Sequence, residues 1–249
     1  MQKALITGAS GGLGAALARV LAKQDYEVWL AARRADALAA EVEAIERDGG
    51  RAHAVILDVS DPDKTAESVV ALDEECDGFD LVVANAGVGG IAKPYAMTWK
   101  LSRQTLMTNL VGAAATLVPL IEPMVKRGHG HLVCVSSLNA EVPIPNASQY
   151  GASKAGITHM LLAMAPSLRK KGIAVTVIHP GFVRTAMTDG APFPMPFLMD
   201  AERAAEIMAK GIRKRKTMIR FPWQTAFLVS AAVALPRWAR EWVFTRAKV

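Results

Sequence analysis

The stretch "SSLNAEVPIPNASQYGASK", residues 136–154, holds three side chains able to manage one proton together: Ser137, Tyr150 and Lys154. Tyr150 and Lys154 are four residues apart, so on a helix they share a face. A free tyrosine, with a pKa of ~10, is a poor acid–base catalyst near neutrality. A nearby ammonium stabilises the phenolate and lowers that value. Tyr150 can then give a proton to a carbonyl oxygen as hydride reaches its carbon, or run the reverse reaction. Ser137, thirteen residues earlier, is placed to hydrogen-bond the same oxygen.

Hydride chemistry needs a carrier. "TGASGGLG", residues 7–14, has glycines at 8, 12 and 14. Glycines there permit a tight turn and let backbone N–H groups approach a pyrophosphate at a helix N-terminus. The second strand ends in "AARRAD", with Arg33 and Arg34 where NAD(H) binders carry an acid. A guanidinium can grip a 2′-phosphate and stack on adenine, so NADP(H) is expected over NAD(H). Arg34 serves the cofactor or simply starts the next helix. Asp58 and Val59 are placed to meet the adenine edge and face, and Ser60 and Asp61 serve as an N-terminal helix signal.

These residues must be positioned by alternating strands and helices. "KALIT", "EVWLAA", "AHAVILD", "FDLVVANAG", "GHLVCVSS", "IAVTVIHPG" and "TMIRF" read as seven strands. Helices are expected at about 12–24, 35–47, through Val69 and Val70, 102–126, 149–171 and 201–214. The strands are nearly continuous in apolar residues, as when both faces are covered. The pattern implies an α/β, Rossmann-type doubly wound parallel β-sheet with helices on both faces. Pro166 falls within the helix at 149–171 and is expected to kink or end it. One catalytic domain over residues 1–221, with an apolar, basic helical extension over 222–249, accounts for the chain.

Of 249 residues, 51% are hydrophobic and 21% charged, which places the chain among globular proteins. Cys76 and Cys134 form neither a disulfide framework nor a metal-ligand spacing, so no metal and a reducing, cytoplasmic setting are expected. No uninterrupted apolar run approaches the ~20 residues of a spanning helix. Residues 210–249 contain ten Lys or Arg against one acid, Glu241, a charge of +9 within a total of +6. "RKRK" lacks an aromatic platform or recognition helix, so nucleic acid is not an expected partner.

Together, "TGASGGLG", "ANAG" at 84–87, Asn109, Ser137, "YGASK" and "PGFVRT" at 180–185 resemble the short-chain dehydrogenase/reductase family over roughly residues 3–185. The resemblance implies that Ser137 polarises the carbonyl and Tyr150 is the acid/base. It also implies that Lys154 holds the nicotinamide ribose and tunes Tyr150, while Asn109 keeps a water in a proton relay through Lys154. Gly8, Ser10, Gly12, Leu13 and Gly14 match the phosphate loop; Asn85, Ala86 and Gly87 match the segment beside the adenosine ribose. Pro180, Gly181, Val183 and Thr185 match the loop that meets the nicotinamide. Ala84 replaces a second Asn, and Gly11 stands where NADP-dependent members carry a basic residue. The family's usual glycine-rich last strand is missing, which favours a homodimer through the helices at 102–126 and 149–171 over a tetramer.

The loop after "PGFVRT" offers Met187, Phe193 and Phe197 as an apolar lining, which points to a hydrophobic carbonyl or alcohol substrate. Beyond it, Trp238 and Trp242 lie one helical turn apart among Arg237, Arg240, Arg246 and Lys248. Two readings stay open for this end: it closes the pocket or a dimer face, or it lies on an anionic membrane. A nucleotide sensor without turnover is the alternative to an enzyme; it would need the glycine loop but not the Ser–Tyr–Lys set.

Overall fold

The computed structural model describes residues 1–90, 92–190 and 194–246, with 243–246 as backbone only. Seven parallel strands lie in the order β3-β2-β1-β4-β5-β6-β7. They are β1 (Gln2–Thr7), β2 (Tyr26–Ala32), β3 (Arg51–Ile56), β4 (Leu81–Ala84), β5 (Gly130–Val135), β6 (Ile173–Pro180) and β7 (Met218–Phe221). β4 and β5 are buried along their whole length, as expected at the centre of a doubly covered sheet. The order reverses between β1 and β4, where Ile6 pairs with Val83, and that crevice is where open α/β sheets bind ligands.

On one face α1 (Gly12–Ala22), α2 (Ala35–Arg47) and α8 (Ala201–Arg213) bury Leu17, Leu38 and Met208 against Ile6, Leu30 and Ile178. On the other, α3 (Pro62–Glu75), the helical run 99–127 and α7 (Ser148–Arg169) bury Val69, Leu117 and Ile157 against Leu5, Val82 and Leu132. Two further helices, α9 (Trp223–Ala234) and α10 (Arg237–Arg246), follow β7. Asp61 caps α3 by accepting from the Lys64 amide, with Pro62 in the first turn, which bears out the signal read there.

Two helices depart from expectation. α7 runs through Pro166 to Arg169 without the anticipated break. Leu161, Ala165 and Leu168 are buried on its sheet-facing side, and this packing outweighs the one backbone bond that Pro166 removes. The helix expected at 102–126 starts earlier, at Trp99, where Thr98 caps it. It is built of α4 (Trp99–Leu106), a π turn (Met107–Gly112), α5 (Ala113–Leu117), a 3-10 turn (Val118–Leu120) and α6 (Ile121–Arg127). This 29-residue run is long and apolar enough by composition to cross a membrane. Leu117, Leu120 and Met124 are nevertheless fully buried in the core beneath the sheet, so its apolar side already has a partner.

Candidate active site

The catalytic candidates converge at the C-terminal edge of β5. Ser137 follows that strand and opens a short 3-10 turn (Leu138–Ala140), its Oγ accepting from the Asn139 amide at 3.1 Å. That contact uses a lone pair and leaves the hydroxyl proton for a carbonyl oxygen. Tyr150 and Lys154 share one face of α7, with Nζ 5.9 Å from the Tyr150 ring centre. Lys154 is buried and donates to the Val135 carbonyl at 2.8 Å; two ammonium protons remain for a ribose or a relay.

Asn109 lies in the π turn, a helical irregularity common at functional sites. Its side chain clamps the loop after β4: Oδ1 accepts from the Val88 amide at 2.8 Å, and Nδ2 donates to the Val88 carbonyl at 3.0 Å. Nδ2 also reaches Ser153 Oγ at 3.2 Å. Asn109 and Lys154 flank Gly87, where a Cβ would lie 3.3 Å from Asn109 Oδ1 and 3.5 Å from Lys154 Nζ. Beside Tyr150, Asn139 Oδ1 and Gln149 Nε2 are buried without a protein partner.

The glycine loop fits a dinucleotide phosphate. α1 has no side-chain cap and no acid in its first turn, so its leading N–H groups are left for an anion. Gly8, at φ +69°, touches the Ala86 backbone: a Cβ there would come within 2.7 Å of the Ala86 Cα. Gly14 is equally constrained, since a Cβ would meet the Gly8 carbonyl oxygen at 2.4 Å and Asn85 Nδ2 at 2.5 Å. Asn85 fills that space, donating to the Thr7 and Gly8 carbonyls at 2.9 and 3.3 Å. Thr7, unassigned from sequence, accepts from the Asn85 and Ala86 amides at 3.1 and 3.2 Å. A lone hydroxyl ending a buried strand beside the glycine loop was the available signal for it.

Of the two arginines, Arg34 touches the loop itself, donating to the Ser10 carbonyl and hydroxyl at 3.1 and 3.2 Å. Arg33 faces Asp58 at 3.8 Å. Partial burial pushes the Asp58 carboxyl up, but the Ser60 amide and hydroxyl and the Arg33 guanidinium outweigh it and hold Asp58 below its ordinary value. Val59 is buried in the core, with its backbone and Cβ close against Gly112. Leu13 likewise packs partly into the core. Thr185 seats its methyl group against Gly12. Gly181 donates to the Phe221 carbonyl at 2.7 Å beside Pro222, while Pro180 pairs with Phe221 at the sheet edge and Val183 bridges to Met199. A cleft of about 350 Å³ opens beside this loop, lined by Gly12, Arg19, Arg184, Thr185, Ala186 and Asp200 among others. It borders the phosphate end of the crevice rather than Tyr150.

Met187 lies next to Gly89, 51% exposed; Phe197 is 48% exposed and held at φ +58°. Phe193 lies outside the described residues. α9 buries Ala226 and Val229 against Leu138 and Val142 of the segment following Ser137, so it walls the site. The opposite side of α9 leaves Trp223, Phe227 and Leu228 exposed.

A family model described as short chain dehydrogenase matches residues 2–192. An uncharacterized oxidoreductase of Myxococcus xanthus is 43% identical over 233 residues, 94% of this chain and 92% of that one. A metagenomic short-chain oxidoreductase, solved in complex with NADP, is 28% identical with a TM-score of 0.76, over 88% of this chain and 95% of that one. A short-chain dehydrogenase from Sphingobium yanoikuyae is 23% identical with a TM-score of 0.84 over 100% of this chain and 98% of its own. The chain belongs to the short-chain dehydrogenase family of oxidoreductases.

Proposed function

We propose that the protein interconverts a carbonyl and a secondary alcohol, using NADP(H) and a hydrophobic substrate. The observation that carries this reading is the meeting of Ser137, Tyr150 and Lys154 beside an uncapped glycine loop that Arg34 touches. A bound reduced nicotinamide supplies the hydride. Tyr150 gives its phenolic proton to the carbonyl oxygen, which the Ser137 hydroxyl also binds. Lys154, held by Val135, presents its remaining protons to the ribose and its charge to Tyr150. Asn109 keeps the loop at Val88 in place and supports the relay beyond Lys154. Gly8, Gly12 and Gly14 take the pyrophosphate, with Ser10 and Arg34 at its edge. Arg33 and Asp58 flank the adenine, Asn85 to Gly87 lie beside the adenosine ribose, and Pro180, Gly181, Val183 and Thr185 frame the nicotinamide half. The NADP complex of the metagenomic relative supports the choice of cofactor.

The half-exposed Met187 and Phe197, with Leu138 and Val142 behind Ser137, support a lipophilic substrate. In a ketone panel followed by NADPH oxidation, long-chain or polycyclic ketones are expected to exceed short polar ones in kcat/KM by at least about tenfold, one buried pentyl-sized increment being more than sufficient. Comparable values across the panel would refute this substrate class.

Val111 and Val118, partly exposed and seven residues apart on the run 99–127, support the homodimer face. A second surface has a different partner. α9 carries no ionisable residue and is apolar on both sides, and α10 exposes Trp238 and Trp242. Helices apolar all round need an apolar neighbour. Residues 210–249 carry +9, so two copies meeting here would bring like charges together, whereas anionic lipid supplies the opposite charge. At 12 residues α9 is too short to span and would lie in the interface. Vesicles containing phosphatidylglycerol are expected to co-sediment several-fold more protein than phosphatidylcholine alone, and a Trp238→Ala/Trp242→Ala variant to lose that excess. Equal recovery with both vesicles would leave this surface without a lipid partner.

A further inference from the structure

Four consecutive polar contacts join the backbone of Lys154 to Glu141. Ser136 Oγ lies 3.0 Å from the Lys154 carbonyl oxygen and 2.8 Å from Thr158 Oγ1. Thr158 Oγ1 lies 3.1 Å from His179 Nε2, and His179 Nδ1 lies 2.5 Å from Glu141 Oε1. Each contact requires one proton. The Lys154 carbonyl can only accept, so it takes the Ser136 proton. Ser136 Oγ then accepts from Thr158, and Thr158 Oγ1, its own proton committed, must accept from a protonated His179 Nε2. The remaining contact, between Nδ1 and Glu141, still needs a proton. Serine and threonine contribute one each and a neutral imidazole only one, so the chain is one proton short unless the His179–Glu141 pair holds an extra one.

His179 is fully buried, and the charged groups facing it are Glu141 after β5, Arg220 on β7 and Lys154 on α7. Burial, the largest influence, acts with Arg220 and Lys154 to outweigh the Glu141 hydrogen bond and charge, so these groups lower the imidazole pKa below its ordinary value; the acceptor Thr158 Oγ1 at Nε2 acts the other way and favours the doubly protonated ring. Arg220 Nη2 sits 2.7 Å from the other Glu141 oxygen, so that side chain is gripped by a guanidinium on one side and by the imidazole on the other. The same guanidinium nitrogen reaches the Ala226 carbonyl at 3.0 Å and Ser230 Oγ at 2.9 Å, which ties α9 to the pair.

We propose that His179 and Glu141 hold one extra proton at neutral pH as a buried imidazolium–carboxylate pair, and that this pair positions the turn bearing Ser137 and the segment of α7 bearing Lys154. Glu141 directly follows the 3-10 turn that Ser137 opens, and the Lys154 carbonyl terminates the other end of the chain. When the pH rises far enough to remove the proton, one of the four contacts is left without a donor. The turn or α7 then loosens, and turnover falls. His179 and Glu141 touch neither substrate nor cofactor in this scheme; they are positioning residues, and their effect on turnover rests on the roles proposed above for Ser137 and Lys154.

The test combines histidine-selective ¹⁵N NMR from pH 5 to 9, amide hydrogen exchange of residues 137–141, and steady-state kinetics. It uses the full chain as wild type, Glu141→Gln and Thr158→Val. In wild type at pH 7, both His179 nitrogens are expected to be protonated, one proton leaving as pH rises, with exchange of the 137–141 amides rising in step. Glu141→Gln should leave a singly protonated His179, speed exchange in that turn, and lower kcat about tenfold with NADPH affinity within twofold. Thr158→Val should leave His179 singly protonated, because the two contacts that remain are supplied by Ser136 and a neutral imidazole, and should lower kcat because the chain to Lys154 is cut. A singly protonated His179 in wild type at pH 7 would overturn the pair. Unchanged exchange and an unchanged pH profile of kcat in Glu141→Gln would overturn the positioning role. A wild-type protein that reduces no ketone, yet shows the doubly protonated ring and the pH-linked exchange, would sink the carbonyl-reductase reading and uphold this one.

Discussion

Replacing Tyr150 with Phe is expected to lower kcat by about three orders of magnitude while NADPH affinity stays within twofold of wild type. The phenolic oxygen is the only atom removed, so packing along α7 is preserved. Ser137 still binds the carbonyl oxygen, but it has no ammonium beside it to favour proton loss. Lys154 keeps its bond to the Val135 carbonyl and its protons for the ribose, which is why cofactor binding survives. Stopped-flow measurement of NADPH oxidation would separate this result from a slower product release. Turnover within tenfold of wild type would mean that another group supplies the proton, and the role given to Tyr150 would fall.

The second large effect belongs to the arginines. Arg34→Asp is expected to weaken NADPH binding by about a hundredfold, or ~2.7 kcal/mol, with NADH affinity unchanged or improved. Arg34 already touches the Ser10 carbonyl and hydroxyl, so its guanidinium stands at the edge of the phosphate loop without any movement of the backbone. A carboxylate there repels a 2′-phosphate and can instead accept from ribose hydroxyls. Arg33→Asp should act in the same direction but less strongly, because Arg33 faces Asp58 and the new acid would also repel that carboxylate. Titrations by nucleotide fluorescence with both cofactors give the ratio directly. An equal loss for NADPH and NADH would mean that neither arginine reads the phosphate.

Much of the fold was legible because its signals are local. Seven apolar runs became seven strands, and the helix expected at 35–47 has those bounds in the structure. "TMIRF" supplied the last strand, Met218–Phe221, and the basic run before it does end a helix, with Lys210 and Arg213 in the final turn of α8. What escaped depends on partners far apart in sequence. Glu141 meets His179 across 38 residues and Arg220 across 79, and no periodicity records such a meeting. Asn109 was marked as a site residue, but its grip on Val88 and the π turn that aims it were not visible. Pro166 does not end its helix, whose sheet-facing side is held by tertiary packing.

Gly14 sets a limit on how this scaffold can change. A side chain at that position would strike the Gly8 carbonyl and the Asn85 amide group together, and Asn85 is also what ties the end of β1 and the glycine loop to the end of β4. Cradle and sheet therefore share one point of failure, and an evolving lineage cannot adjust the first without breaking the second. Arg33 and Arg34 are held by no such coupling, since both stand exposed beyond the strand end. Adaptation to a new cofactor economy has its open route there, at the rim, while the glycine loop stays fixed.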